Sequence, residues 1–323
     1  MRPAARSLAR AAGWLVAAIA LALAVRAVAA QWDEVRSVAA SLRPRWGLVA
    51  LSSVYVLAAY AVLIESWRRL LAGWGVRLTF FEASTLWLVS SLARYLPGAG
   101  LQLGALGVLA RQRGVSGVAA ASAALLNTLL NVLTGIALVV LLGGRSILAA
   151  GGRDPSTTVL GLALATTAAA VLALPAALPR LARLVARLTG RTVDLDRVSF
   201  GLVLGAAAAN AAAWLLYGIA FRTLSAALFG PPTGAATAYV AVYTASYLWG
   251  LFAFAVPAGL GAQEFALSLL MPPLVALPLA QTAVLTVAAR LWRTVIETAP
   301  AALLLVAARV RGRPTPPPTH GSI

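Results

Sequence analysis

The chain has no cysteine, no lysine and a single histidine among its 323 residues. Without cysteine there is no disulfide, no thiolate metal ligand and no thiol nucleophile. The lone histidine, His320, lies in the Pro-rich stretch 312–323, so neither a histidine metal cluster nor a Ser-His triad can form in the rest of the chain. Charge is scarce too, at 11% of residues, and acidic charge most of all: nine Asp and Glu stand against 26 basic residues, every one an arginine. Neither a glycine-rich nucleotide loop nor a metal-ligand spacing occurs, and no metal and no cofactor are expected.

What the chain does have is apolar. Hydrophobic residues make up 61% of it and the mean hydropathy is +0.88, well above the roughly half expected of a soluble domain. A cytosolic globular enzyme is excluded on that ground. The net charge of +17 would suit nucleic acid, but the arginines lie between long apolar runs and not on a soluble face with aromatic neighbours. They read instead as the cytoplasmic arginines of a membrane protein, facing anionic headgroups.

A helix needs about 20 apolar residues to cross about 30 Å of hydrocarbon. Runs of that kind occur near 12–30, 46–66, 116–142, 156–179, 199–229 and 278–308. These are six full spans. Two further apolar stretches, 78–113 and 234–276, are interrupted by Pro97, Gly98 and Gly100 and by Pro257, Gly259 and Gly261. Proline removes a helix donor and bends the chain, while glycine permits positive φ and close approach, so each stretch reads as a broken-helix hairpin. The first run has a basic lead and small residues at its end like a signal peptide, but Arg26 at the would-be cleavage site favours an uncleaved span. The segment 31–45 reads as a polar loop, and 180–197 as either a basic surface helix on the inner leaflet or a plain topogenic loop.

With the N-terminus inside and both hairpins returning to the side they left, sixteen arginines fall in the cytoplasm and five outside, the latter being Arg36, Arg43, Arg45, Arg145 and Arg153. That asymmetry supports the orientation. It also makes the two hairpins oppositely oriented, and Pro97 with Gly100 and Gln102 echoes Pro257 with Gly261 and Gln263. An inverted repeat of broken helices meeting near the midplane is the expected architecture. The fold class is therefore all-α, a single polytopic transmembrane domain over 1–311 followed by a disordered tail at 312–323.

Ionisable groups inside apolar runs are the first candidates for chemistry, because insertion scales put their cost at about 2.5–3.5 kcal/mol each. Arg290, Arg293 and Glu297 share one face of the last span by their three- and four-residue spacing. Arg290 is about 18 Å into it. Arg293 and Glu297 either neutralise each other or act with Arg290, whose guanidinium matches phosphate in a forked geometry. Glu264, just past the second break, either caps the restarting helix or partners Arg290. Gln263 and Gln102 either bind a headgroup or satisfy backbone freed by the breaks, and Arg94 with Tyr95, just before the first break, either face the same cavity or snorkel to the interface. Asn127, Asn131 and Asn210 read as interhelical hydrogen-bond formers, Trp214 and Tyr217 as packing or belt aromatics, and Glu65 and Glu82 as counter-ions to Arg68, Arg69 and Arg77.

The segment from Arg94 to Gly100, Arg111 with Gly114, Val115 and Ser116, the stretch from Val256 to Phe265, and Arg290 with Leu291 together resemble the lysylphosphatidylglycerol synthase transmembrane, or flippase-like, family. The resemblance covers roughly residues 10 to 310, and its most specific element is the P-x-G-x-G-x-x-E pattern of Pro257, Gly259, Gly261 and Glu264. It implies an integral membrane protein of the cell envelope that handles a lipid, the family's fused members moving aminoacylated phosphatidylglycerol to the outer leaflet. Two departures are plain: Asn127 stands where the family often carries charge, and no soluble aminoacyl-transferase stretch occurs in these 323 residues, so lysyl transfer from tRNA is not expected of this polypeptide alone.

The expected function is that of a lipid translocase or lipid-binding carrier for an anionic phospholipid or polyprenyl-phosphate-linked glycolipid, not an enzyme. A membrane-embedded transferase, with Glu264 or Glu297 as its base, and a scaffold subunit for a separate glycosyltransferase or synthase are the alternatives. The expected partner is a lipid with a phosphate headgroup and not nucleic acid, with a homo-oligomer compatible with the chain. The expected location is the inner membrane, with both termini cytoplasmic.

Overall fold

The computed structural model describes residues 32–95, 101–152, 157–189, 199–252 and 261–311. The first apolar run, Pro97, Gly98, Gly100, Pro257, Gly259 and the tail lie outside the described residues. Ten α-helices and no strand occur among the described ones: α1 (Trp32–Ser41), α2 (Trp46–Gly73), α3 (Phe80–Ser91), α4 (Leu101–Arg111), α5 (Gly117–Ala150), α6 (Thr157–Thr189), α7 (Phe200–Phe229), α8 (Ala236–Phe252), α9 (Ala262–Val275) and α10 (Leu279–Arg311), with a 3-10 turn at Leu92–Tyr95.

Four of them, α2, α5, the Thr157–Leu174 part of α6, and α7, are long and apolar enough to cross a membrane. At 33 residues and 1.5 Å per residue, α10 is about 50 Å long. Its central arginines and glutamate keep it out of that strongly apolar set. Large apolar side chains such as Val54, Leu57, Leu125, Leu162 and Leu291 face outward, as they do on helices whose surroundings are lipid.

Two expectations are corrected. The segment 31–45 is not a loop, since α1 occupies most of it with Asp33 and Glu34 in its first turn, where the helix dipole favours carboxylates. It ends shortly before Pro44, which disfavours helix in the residue before it. Likewise, the apolar run at 156–179 does not stop before the basic stretch. The α6 helix continues through Pro175 and Pro179 to Thr189, a tolerance of proline common in membrane helices.

The frame is the antiparallel pair α2 and α7. On α2, Ser52, Ala59 and Ser66 recur every seven residues, and on α7 so do Ala206, Ala213, Ala220 and Ala227; all are buried. Small residues at heptad spacing let two membrane helices approach closely. The Ser52 hydroxyl donates to the Ala220 carbonyl at 2.6 Å, and the Arg45 N–H donates to the Ala227 carbonyl at 2.9 Å. The Arg45 guanidinium reaches the Ala226 carbonyl as well, placing a cation at the negative end of α7.

A buried polar cluster ties α5 to this pair. Asn127 Oδ1 accepts from the Ser66 hydroxyl at 2.7 Å and from Asn210 Nδ2 at 3.0 Å, and Asn131 Nδ2 donates to Asn210 Oδ1 at 3.0 Å. All three asparagines thus bond between helices, as their placement in apolar spans implied. Trp214 is buried against the core and donates to the Asn131 carbonyl at 2.9 Å. Near the other contact, Trp67 Nε1 donates to the Ala120 carbonyl at 3.2 Å, so the start of α5 sits beside the end of α2.

These contacts fix where the two interrupted segments begin and end. The connections 74–79 and 112–116, which flank α3 and α4, lie at the end of the frame where α2 finishes and α7 starts. At the opposite end, α7 gives way to α8, and Gly234 lies against Val275 so closely that a Cβ there would come within 3.1 Å of it. The pair α8 and α9 therefore returns to where it left. Each arm has between 11 and 17 residues, about 17–26 Å of helix. That is less than a hydrocarbon thickness.

Candidate functional site

The α9 helix starts immediately after Gly261, whose φ of +81° is a conformation that glycine adopts without steric strain. The Gly261 N–H donates to Glu264 Oε2 at 2.7 Å, which satisfies one of the donors orphaned at a helix start. The other oxygen of the same carboxylate, Oε1, lies 3.2 Å from Arg290 Nη1. Capping and pairing with arginine, the two alternatives for Glu264, are both present in one side chain.

One turn along α10, Arg293 Nε lies 3.6 Å from Glu297 Oε1, and its Nη1 donates to Gln263 Oε1 at 3.2 Å. The Arg293 guanidinium also sits over the Tyr247 ring, 5.7 Å from its centroid, a cation–π arrangement. The Tyr243 hydroxyl, one turn earlier on α8, accepts from it as well. Gln263 reaches inward because Gly250 of α8 leaves room; a Cβ there would come within 3.1 Å of the Gln263 Cβ. From the frame, the Tyr60 hydroxyl donates to Glu297.

The two ion pairs differ in depth. Side-chain exposure is 16% for Arg290 and 23% for Glu264, against 11% for Arg293 and 5% for Glu297. The inner pair is therefore held by Tyr60, Gln263, Tyr243 and Tyr247, while the outer pair edges a cavity.

That cavity is lined by Phe221, Tyr243, Gln263, Glu264, Leu267, Thr286, Ala289, Arg290, Trp292 and Arg293 and has a volume of about 20 Å³. One water molecule fills such a space. The Thr286 hydroxyl, on a side chain almost wholly buried, has no hydrogen-bond partner. Trp292 fixes its own orientation by donating Nε1 to the Ser53 hydroxyl at 3.0 Å.

Of the residues expected at the site, Arg290, Arg293, Glu264, Gln263 and Glu297 come together around this cavity. Gln102 stands in the first turn of α4 and does not line it. Arg94 and Tyr95 belong to the 3-10 turn, which packs against α10, but their side chains lie outside the described residues. Sequence reasoning missed Tyr60, Tyr243, Tyr247 and Thr286. A tyrosine in the middle of an apolar run, away from the interfaces where tyrosine collects, was the available signal for Tyr60.

Glu65 pairs with Arg68 and Arg69 at 2.7 Å each, as a counter-ion would. Glu82 instead closes a capping box with Thr79, accepting from its N–H and hydroxyl at 2.8 Å. The sequence pattern Thr-x-x-Glu before an apolar run specifies that motif.

No curated protein matches the chain significantly. The family of the lysylphosphatidylglycerol synthase TM region matches residues 11–301, a stretch that includes all of the site's residues. With a helical bundle carrying strongly apolar spans and a match across nearly its whole length, the chain belongs to this family of membrane domains, which is tied to lipid handling and flippase function.

Proposed function

We propose that the protein binds the phosphate of an anionic phospholipid or a polyprenyl-phosphate-linked glycolipid, and carries or translocates that lipid in the inner membrane during cell-envelope synthesis. The observation that carries this reading is the shared face of Arg290 and Arg293 on α10, turned towards a cavity at the start of α9. Two guanidiniums offer forked donors for phosphate oxygens, and the positive end of α9 adds to their field. Thr286 supplies a spare hydroxyl in the same space.

The arms α3 with α4 and α8 with α9 leave and rejoin opposite ends of the α2–α7 frame, and this supports reading them as inverted broken-helix hairpins of the kind that build midplane substrate sites. A cavity with room for one water is too small for a phosphate. The described conformation is then a closed one, and a headgroup enters when the hairpins part from α10. A transferase would need a carboxylate free to move protons, whereas Glu297 is held by Tyr60 and Arg293.

The test is mass spectrometry of lipids that co-purify with the wild type, with Arg290→Ala and with the Arg290→Ala, Arg293→Ala double variant. Enrichment of a phosphate-bearing lipid over bulk membrane, lost in the variants while they still elute as single species, is the expected result. Equal lipid content in all three overturns the site. No enrichment at all favours a scaffold for a separate glycosyltransferase or synthase.

A further inference from the structure

The charges around the cavity cancel. Among the described side chains that meet there, Arg290 and Arg293 bring two positive charges, and Glu264 and Glu297 bring two negative ones. Every other group facing Glu264 is neutral: Gln263 beside it, Thr286 on α10, and Tyr243 and Tyr247 on α8. The α5 helix, which also packs on α9, has only Arg145 as a titratable residue, and that side chain is exposed. A phosphodiester headgroup arriving at this neutral quartet adds one negative charge with nothing to balance it, a cost of several kcal/mol in a low-dielectric setting.

We propose that Glu264 removes this imbalance by taking up one proton, so that an anionic headgroup and a proton bind together. This rests on the headgroup reading above. In the exchange, the Arg290–Glu264 pair breaks, the phosphate oxygens take the place of the carboxylate on Arg290, and the proton goes to Glu264 Oε1. The two arginines are then balanced by Glu297 and the phosphodiester, and the total remains zero.

Geometry selects Glu264 over Glu297 as the carrier. Glu264 is the more exposed of the two, at 23% against 5%, and borders the cavity that the headgroup would open. Glu297 lies behind Arg293 and is fixed by Tyr60. Protonation at Oε1 also leaves Oε2 able to accept from the Gly261 N–H, so α9 keeps its cap while the arginine changes partner. Glu264 thereby links ligand charge to the helix start at the second break.

The test is isothermal titration of the full chain in maltoside micelles with dihexanoyl phosphatidylglycerol, run in buffers of different ionisation enthalpy so that protons taken up per lipid are counted. For the wild type we expect close to one proton, and an affinity that falls about tenfold per pH unit across the range where that proton is taken up. Glu264→Gln, which keeps a carbonyl for Gly261, should bind with no proton uptake and no pH dependence. Wild-type binding that requires Arg290 but takes up no proton overturns this proposal and leaves the headgroup site standing. Proton uptake that persists in Glu264→Gln assigns the proton elsewhere and also overturns it. If the wild type and Arg290→Ala alike fail to bind the lipid, the headgroup reading falls and this proposal with it.

Discussion

At the scale of single residues, the two arginines of α10 stand in different situations. Removing Arg293 leaves Glu297 buried with only Tyr60 as a partner, and breaking a buried pair in this way costs about 3–5 kcal/mol. Removing Arg290 leaves Glu264 more exposed and still bonded to the Gly261 N–H. Thermal unfolding in detergent should therefore show a large drop in Tm for Arg293→Ala, a smaller one for Arg290→Ala, and partial recovery when Glu297→Gln is added to Arg293→Ala. Equal drops for the two single variants would refute the difference in depth. The charged members of this cluster were legible in the sequence because charge inside an apolar run is costly and so stands out. Their partners Tyr60, Tyr243 and Tyr247 were not, because tyrosine is ordinary in such runs and only the tertiary arrangement brings α2 and α8 to the same guanidinium.

At the scale of elements, the helices approach one another closely where side chains are smallest. A Cβ on Gly218 of α7 would lie 2.5 Å from the Val240 Cα of α8, a contact that only backbone movement relieves. Gly218→Ala should destabilise the protein by about 1–3 kcal/mol, and Val240→Ala should fail to rescue it. Gly143 of α5 makes the contrasting case, since a Cβ there would meet the Ala241 Cβ at 2.5 Å. Gly143→Ala should lower Tm, and Ala241→Gly should restore most of the loss; absence of rescue would show that the two helices are held apart by something else. Heptad spacing of Ser52, Ala59 and Ser66 and of the matching alanines on α7 was present in the sequence. The identity of the pair was not, because many stretches of this chain are equally rich in small residues. Continuous apolar runs likewise marked α2, α5 and α7, whereas α1 was obscured by its short length and α6 by prolines that mark breaks in soluble helices.

At the scale of the whole molecule, the orientation expected from the arginines can be tested against the ends of the α2–α7 frame. Cysteine introduced at Gly75 or Gly114 should react with a membrane-impermeant maleimide from the cytoplasmic side only, and cysteine at Gly152 or Gly230 from the outside only. Labelling of all four from one side would remove the topology on which the opposed hairpins depend. The absence of native cysteine makes the experiment free of background. How the two interrupted segments join the frame was partly legible, through their prolines and glycines, but the return of each to its own end required the contacts of Trp67 with Ala120 and of Gly234 with Val275. The narrowness of the cavity carries a consequence for the cell as well. Proton leak through a membrane protein needs an unbroken file of waters from one face to the other, and a space of about 20 Å³ holds one molecule beside guanidiniums that repel hydrated protons. The closed protein can thus keep two ion pairs in the middle of the bilayer without discharging the proton gradient across it.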